Sequence, residues 1–287
     1  MADDHRAVYE ALLQVYDNGT PAALATVIKT QGSMPRHAGS KMLVYADGAI
    51  VGTVGGGAME NQVIAAAKAA IESGASSTEM YTLNSLDAGD PGICGGTATI
   101  FIEPLEVKPT LLVIGGGHVG KAVAELGLWL GYRVILSDDR PEYANESYVP
   151  DLAGYVVCKP AELTQRVAIN RNTYVAAVTR GLPVDLNLIP DLIQSDARYI
   201  GLIGSQRRWA ITAKALRDEK GLTDEQLARV HSPIGLELEA ESPREIALSI
   251  LAEITMLRRG GTGLPMRNNT TEAATADKHE NRQVHDG

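Results

Sequence analysis

Cysteine is nearly absent from this 287-residue chain. There are two, Cys94 and Cys158, too few for a disulfide scaffold, so a reducing compartment is expected and any part played by a thiol is chemical. No apolar run approaches the ~20 residues that span a bilayer. The stretch from Met1 to Glu10 is polar and acidic rather than signal-like, which makes a cytoplasmic location the expectation. Positive charge is in deficit: 26 Lys and Arg against 35 Asp and Glu leave a net charge of −9, which argues against nucleic acid or an anionic membrane as partner. The sequence also has no nucleophile elbow, no paired H-x-x-x-H and no P-loop lysine after its glycines. A small-molecule or protein partner, and a carrier rather than a turnover enzyme, is what these absences favour.

What is present is an ordinary globular composition, 45% apolar and 21% charged, in a chain long enough for two lobes. Val8, Leu12, Leu13 and Val15 have helical spacing up to Asn18-Gly19. A strand over Ala23 to Ile28 follows, then a hairpin of Lys41 to Val44 with Ala49 to Gly52 about Asp47-Gly48. An Ala-rich helix over Met59 to Ile71 and strands at Glu79 to Leu83 and Thr97 to Ile102 complete an α+β lobe over residues 1–106. Glu103 to Pro109, with two prolines, reads as a linker.

Beyond the linker, strands at Thr110 to Ile114, Arg133 to Leu136, Gly154 to Val157, Tyr174 to Val178 and Tyr199 to Ile203 are interspersed with helical segments, the first over Val119 to Leu130. That order predicts an α/β fold with a Rossmann-type parallel sheet over residues 107–260, preceded by the smaller α+β domain. A last helix is expected from Pro243 to Arg259, with Ser242 and Glu245 in a capping box and Gly260-Gly261 as the stop. The polar residues 261–287 read as a disordered tail.

Gly115-Gly116-Gly117-His118-Val119-Gly120 sets G-x-G-x-x-G between a buried strand and an apolar helix. Gly115 permits the tight turn, Gly117 lets backbone approach a pyrophosphate, and Gly120 allows close packing of helix on strand, while the helix N-terminus favours negative charge. Asp138, about 20 residues on, is placed to accept ribose hydroxyls. NAD(P), FAD, a pterin nucleotide or a simple phosphate present similar oxygens, and a plain strand-to-helix turn needs the same glycines. His118 suits a ligand oxygen or a backbone partner equally.

Further blocks lie on both sides of the linker. They are Gly32-Ser33-Met34-Pro35-Arg36, Gly39-Ser40-Lys41-Met42, Gly55-Gly56-Gly57-Ala58-Met59-Glu60 and Cys94-Gly95-Gly96, then Asp138-Asp139-Arg140-Pro141, Thr179-Arg180-Gly181, Tyr199 to Ser205 and His231 to Leu236. With them, from about Val8 to Arg259, the chain resembles the XdhC/CoxI family of xanthine dehydrogenase accessory proteins. The resemblance implies a cytosolic maturation factor that holds molybdenum cofactor (molybdopterin with its metal) and helps to make its sulfurated form and insert it into molybdenum hydroxylases. It implies such a hydroxylase as client, a cysteine desulfurase as sulfur source, and a homodimer. Ala58 departs from a cysteine frequent at that place in the family, and Leu182 from a His after Thr-Arg-Gly.

Cys94, among glycines, suits a soft metal ligand or sulfur carrier, or a small buried residue at a strand entry. On the resemblance it is the catalytic and metal-contacting candidate. Arg36 can grip phosphate bidentately or stand as a solvated charge. Glu60 can hold pterin nitrogens or complement its helix dipole. Gly56, Gly57, Gly95 and Gly96 offer backbone room and N–H donors. Arg180 and Asp185 flank the loop after a parallel strand, where they can meet a ligand or each other, and His231 suits a cleft between the lobes or a structural role. The expected arrangement puts the cofactor between the lobes, its phosphate near Arg36 or the 115–120 loop and its metal near Cys94. An NAD(P)-dependent oxidoreductase and a nucleotide-sensing module remain the alternatives.

Overall fold

The computed structural model describes residues 2–82 and 96–267. In the amino-terminal lobe, helix α1 (Ala2–Asn18) leads into a five-stranded antiparallel sheet. Its strands are β1 (Ala22–Gly32), β2 (Lys41–Tyr45), β3 (Ile50–Gly52), β4 (Ser77–Thr82) and β5 (Gly96–Pro104), in the order β3-β2-β1-β5-β4. Helix α2 (Gly57–Ser73) sits between β3 and β4 in sequence. Period-two alternation sorts β1 between two cores. Ala23, Ala25 and Val27 face Met59, Val63 and Ala67 of α2, whereas Ala22 and Leu24 face Val8, Ala11 and Val15 of α1. The register of β1 on β5 shifts between Val27 and Lys29, and Ile28 between them is half exposed. Helix α2 is rich in Ala, the strongest helix former. It stops at Gly74, which takes the left-handed conformation (φ +69°) and donates its N–H to Ala70 O.

The second lobe holds β6 (Thr110–Ile114), α3 (His118–Trp129), β7 (Arg133–Asp138), β8 (Gly154–Val157), α4 (Leu163–Arg166), β9 (Thr173–Ala177) and α5 (Leu182–Gln194). It continues with β10 (Tyr199–Leu202), α6 (Gln206–Lys220), α7 (Asp224–Leu227), β11 (Val230–His231) and α8 (Pro243–Arg259). All neighbouring strands pair in parallel, in the order β8-β7-β6-β9-β10-β11. Numbered within the lobe this is 3-2-1-4-5-6, the Rossmann order, whose switch point falls between β6 and β9. Every residue of β6 and β9 is buried, as a strand covered on both faces requires. Helices α3 and α8 supply one core, with Leu111, Val113 and Ile250 among its members. Helices α4 to α7 supply the other, around Leu112, Leu188 and Leu216.

The strands β6 and β8 and the helix α8 have the bounds read from sequence, and the Ser242–Glu245 capping box is formed. Helix α1 begins earlier and β1 runs longer than the apolar pattern alone indicates, because hydrogen bonding to β5 continues out to Gly32 after burial ends. Strand β11 is not legible in the sequence, since two residues carry no periodicity. Leu83 and the part of the tail from residue 268 lie outside the described residues.

The lobes meet at the amino ends of the parallel strands. Asn172, just before β9, donates its side-chain amide to Lys108 O (3.1 Å) and Gly19 O (3.4 Å), and Arg133, which opens β7, donates Nε–H to Asp17 O at 2.8 Å. A Cβ on Gly19 would meet Lys108 O at 2.9 Å and Thr110 Oγ1 at 3.1 Å, so glycine permits this approach.

Candidate functional site

The glycine loop crosses from the carboxyl end of β6 to α3. A Cβ on Gly120 would drive into Gly115 O, and one on Gly115 (φ +106°) would come within 2.6 Å of Val178 O, so these two glycines serve packing. Gly117 differs: a Cβ there would meet no atom within 4 Å, on the side of a small pocket lined by Gly115, Gly117, Asp138, Arg140, Thr179 and Arg180. Gly117 is the N-cap of α3 and supplies no side-chain cap, which leaves amide donors of the first turn without an intrahelical partner. Open backbone and a positive helix end together suit an anion. His118 opens the helix and is exposed.

Asp138, at the end of β7, is buried and accepts from the protein's own donors. Gly116 N–H reaches Oδ2 at 2.8 Å, Arg140 N–H and Nε–H reach Oδ1 at 3.0 and 2.9 Å, and Arg140 Nη2 reaches Oδ2 at 3.0 Å. Burial works against its charge, but the Arg140 side chain and the backbone donors outweigh it and hold the carboxyl at about 2. Both oxygens are therefore engaged, and a ribose would have to share them. Arg140 also lies 3.9 Å over the Tyr143 ring, and a Cβ on Gly116 would strike the Tyr143 backbone.

Across the switch point, Arg180 does not pair with Asp185. Its Nη2 holds Asp139 (2.6 Å to Oδ1, 2.7 Å to Oδ2), leaving the other guanidinium donors unused among the described residues. Asp185, fully buried in the first turn of α5, accepts from Thr179 Oγ1 and from Arg208 Nη2 at 2.7 Å. Arg208 Nε is buried with no hydrogen-bond partner among the described residues. The role of Arg208 is not legible in sequence, where nothing ties it to a carboxylate 23 positions away.

In the first lobe three glycine blocks converge. A Cβ on Gly55 would meet Met59 Cε at 2.7 Å and Pro35 Cγ at 3.2 Å, and one on Gly96 would meet Met34 Sδ at 2.8 Å. The 32–36 loop, the triple glycine and the start of β5 thus share one corner. Glu60 clasps that corner from within, with Oε2 accepting Thr53 Oγ1 (2.5 Å), Gly56 N–H (3.2 Å) and Val54 N–H (3.3 Å). Gly56 (φ +80°) and Gly57 (φ +66°) take conformations that side chains rarely adopt. Arg36 ends the 32–36 loop and is half-buried. Cys94 and Gly95 lie outside the described residues.

His231 is not on the junction of the lobes. It ends β11 and places Nδ1 3.1 Å from Glu253 Oε1 on α8, while Glu253 Oε2 accepts Tyr199 OH at 2.7 Å and Gly235 N–H at 2.6 Å. Burial opposes charge on Glu253, yet His231, Tyr199 and Gly235 bring its pKa below the usual glutamate value. Burial and the same carboxylate push the Tyr199 hydroxyl far up.

Apart from His231, the candidate residues that the structure describes thus fall at the first-lobe corner and at the switch-point crevice. Every hydrogen bond and ion pair described between the lobes lies at the amino ends of the parallel strands, whereas the glycine loop, Asp138 and Arg180 lie at the carboxyl ends. A strand of five residues, about 16 Å long, separates these levels. Among the described residues the 115–120 loop is not brought to the junction, whereas the expectation from sequence put the cofactor between the lobes.

Residues 111–254 match the XdhC Rossmann domain, and residues 15–82 match the XdhC and CoxI family. The protein named Uncharacterized protein YqeB of Escherichia coli (strain K12) is 31% identical over 89% of this chain and 47% of its own length. A probable xanthine dehydrogenase subunit of Bacillus subtilis (strain 168) is 31% identical over 57% of this chain and 47% of its own. The chain spans about half the length of these two relatives. The molybdenum cofactor insertion chaperone PaoD of E. coli (strain K12) is 24% identical across 90% of both chains.

Proposed function

This chain belongs to the XdhC and CoxI family, and on that premise we propose that it is an accessory protein of molybdoenzyme maturation, with molybdenum cofactor as its cargo. The likeness to PaoD, which extends over 90% of both chains and so includes both lobes, carries this reading. The client is a xanthine dehydrogenase-type hydroxylase, the class that the name of the B. subtilis relative contains.

The crevice at the switch point suits the cargo's phosphate. Gly117 leaves backbone room, the first turn of α3 offers amide donors, and Arg180 retains donors after its pairing with Asp139. When bound, the cargo brings a pterin-chelated metal, and this chain's own task is to grip, orient and release it. In the first-lobe corner, Gly96 opens β5 and Glu60 fixes the triple glycine. Cys94, adjacent in sequence, is the thiol proposed to meet the metal end or to carry sulfur supplied by a cysteine desulfurase. A homodimer, in which one copy's corner approaches the other's crevice, is part of the same proposal.

The test is to co-express the chain with cofactor biosynthesis, purify it, and measure bound pterin and molybdenum. Near-stoichiometric amounts of both are expected, together with activation of a cofactor-free hydroxylase that falls in Cys94→Ser while the melting temperature holds. Protein that carries neither, or that carries NAD(P) and transfers hydride, would sink the reading. The engaged oxygens of Asp138 weigh against that dinucleotide outcome.

A further inference from the structure

A cavity of about 620 Å³ opens between the lobes, at the end of the Rossmann sheet opposite the glycine loop. Four cations line it, Lys68 from α2 and Arg171, Arg198 and Arg259 from the second lobe, against two carboxylates, Glu72 and Glu106. Only Arg171 has a carboxylate partner among the described residues, Glu72 at 3.5 Å, and both side chains are about two-thirds exposed. Exposed pairs of that kind contribute little. The cavity is thus net positive in a chain whose formal charge is −9.

Arg259 complements the carboxyl end of α8, but that role does not call for Lys68, Arg171 and Arg198 to gather beside it. Arg198 precedes β10 and Arg259 ends α8, so each could project into solvent alone, yet both face the same space. Tyr174, buried behind them at the start of β9, registers the field: burial raises its hydroxyl pKa, while Arg198, Arg258 and Arg259 pull it down. Like charges gathered without partners repel, and a multiply charged anion among them relieves that cost. Guanidinium groups match phosphate oxygens in geometry as well as charge. Ile71 and Leu105 add apolar wall beside the cations, and the volume is in the range that holds a small organic ligand.

We propose that this cavity is a second binding site, distinct from the crevice, for a phosphorylated small molecule held at its phosphate by Lys68, Arg198 and Arg259 and along its body by Ile71 and Leu105. Because Lys68 belongs to one lobe and the two arginines to the other, the ligand ties the lobes together. Its binding therefore also raises the temperature at which they come apart.

The experiment uses the full chain with labelled Ile, Leu and Val methyl groups, titrated with phenyl phosphate at low salt and followed by NMR. Saturable shifts at Ile71 and Leu105 are expected, with affinity at least about tenfold weaker in the double variant R198Q/R259Q and falling with added salt. Both arginines are exposed, so the variant should melt with the wild type, which separates lost binding from lost fold. Shifts confined to Val178 and Val184, which line the crevice, would overturn the proposal. So would Ile71 and Leu105 shifts that persist unchanged in the double variant.

Discussion

Gly116 donates its backbone N–H to Oδ2 of Asp138 at 2.8 Å, which ties the glycine loop to the end of the neighbouring strand. The same carboxylate binds Arg140, and Arg140 covers Tyr143, whose backbone backs Gly116. Loop, strand end and following turn are one hydrogen-bonded unit closed through a single buried side chain.

Asp138→Ala should therefore lower stability by about 2 kcal/mol, because it strands the Gly116 N–H and leaves the Arg140 guanidinium with only Asp139, 3.9 Å away. Thermal melts of the two proteins read this directly. A loss under about 1 kcal/mol would mean that the unit does not depend on the carboxylate.

Acid should expose the same dependence. Asp138 is held at about 2 in the folded chain and titrates near 3.9 when unfolded, so its stabilisation is complete above about pH 4 and is lost as pH falls toward 2. The loss is on the order of 2 kcal/mol. Urea unfolding at several pH values between 5 and 2 should show a steeper decline for wild type than for Asp138→Asn.

Two glycines of the loop should respond in opposite ways. Gly120→Ala pushes a methyl into Gly115 O and should cost about 2 kcal/mol or more, since the obstacle is backbone. Gly117→Val should melt close to wild type, for φ is −63° there and the space is open, yet weaken a bound phosphate by at least about tenfold. Equal ligand affinity in the valine variant would remove the loop from the site.

Glu253 makes a further pair of variants informative. Glu253→Ala leaves the buried Tyr199 OH and the half-buried Gly235 N–H without their acceptor and should cost about 3 kcal/mol. Glu253→Gln keeps one acceptor oxygen and should lose less. If the two melt alike, the hydrogen bonds are not what Glu253 contributes.

Local chemistry decided which parts could be read in advance. Strand β6 is five residues between Pro109 and Gly115, four of them apolar, and α8 has Pro243, a capping box and Gly260, so both ends of each element are marked within a few positions. The fingerprint glycines are likewise local, and each has the packing or open space that its place in the motif implies. Partner choice is not local. His231 and Glu253 are 22 positions apart, Asp185 and Arg208 are 23 apart, and Arg180 reaches back 41 positions to Asp139. A sequence names such residues as charged or polar but does not say which oxygen each will take. The end of the Rossmann sheet on which the first lobe rests is illegible for the same reason, since Asn172, Gly19 and Lys108 carry no mark of their association.

The lobes are fastened at one end of the parallel sheet, by Asn172 and Arg133, and the crevice lies at the other. A ligand held at the crevice, as proposed, would not have to wait for the contacts described between the lobes to part before it leaves. Exchange there would be set by encounter and by the grip itself, with release speeding up in proportion to the concentration of any acceptor that engages the occupied crevice directly.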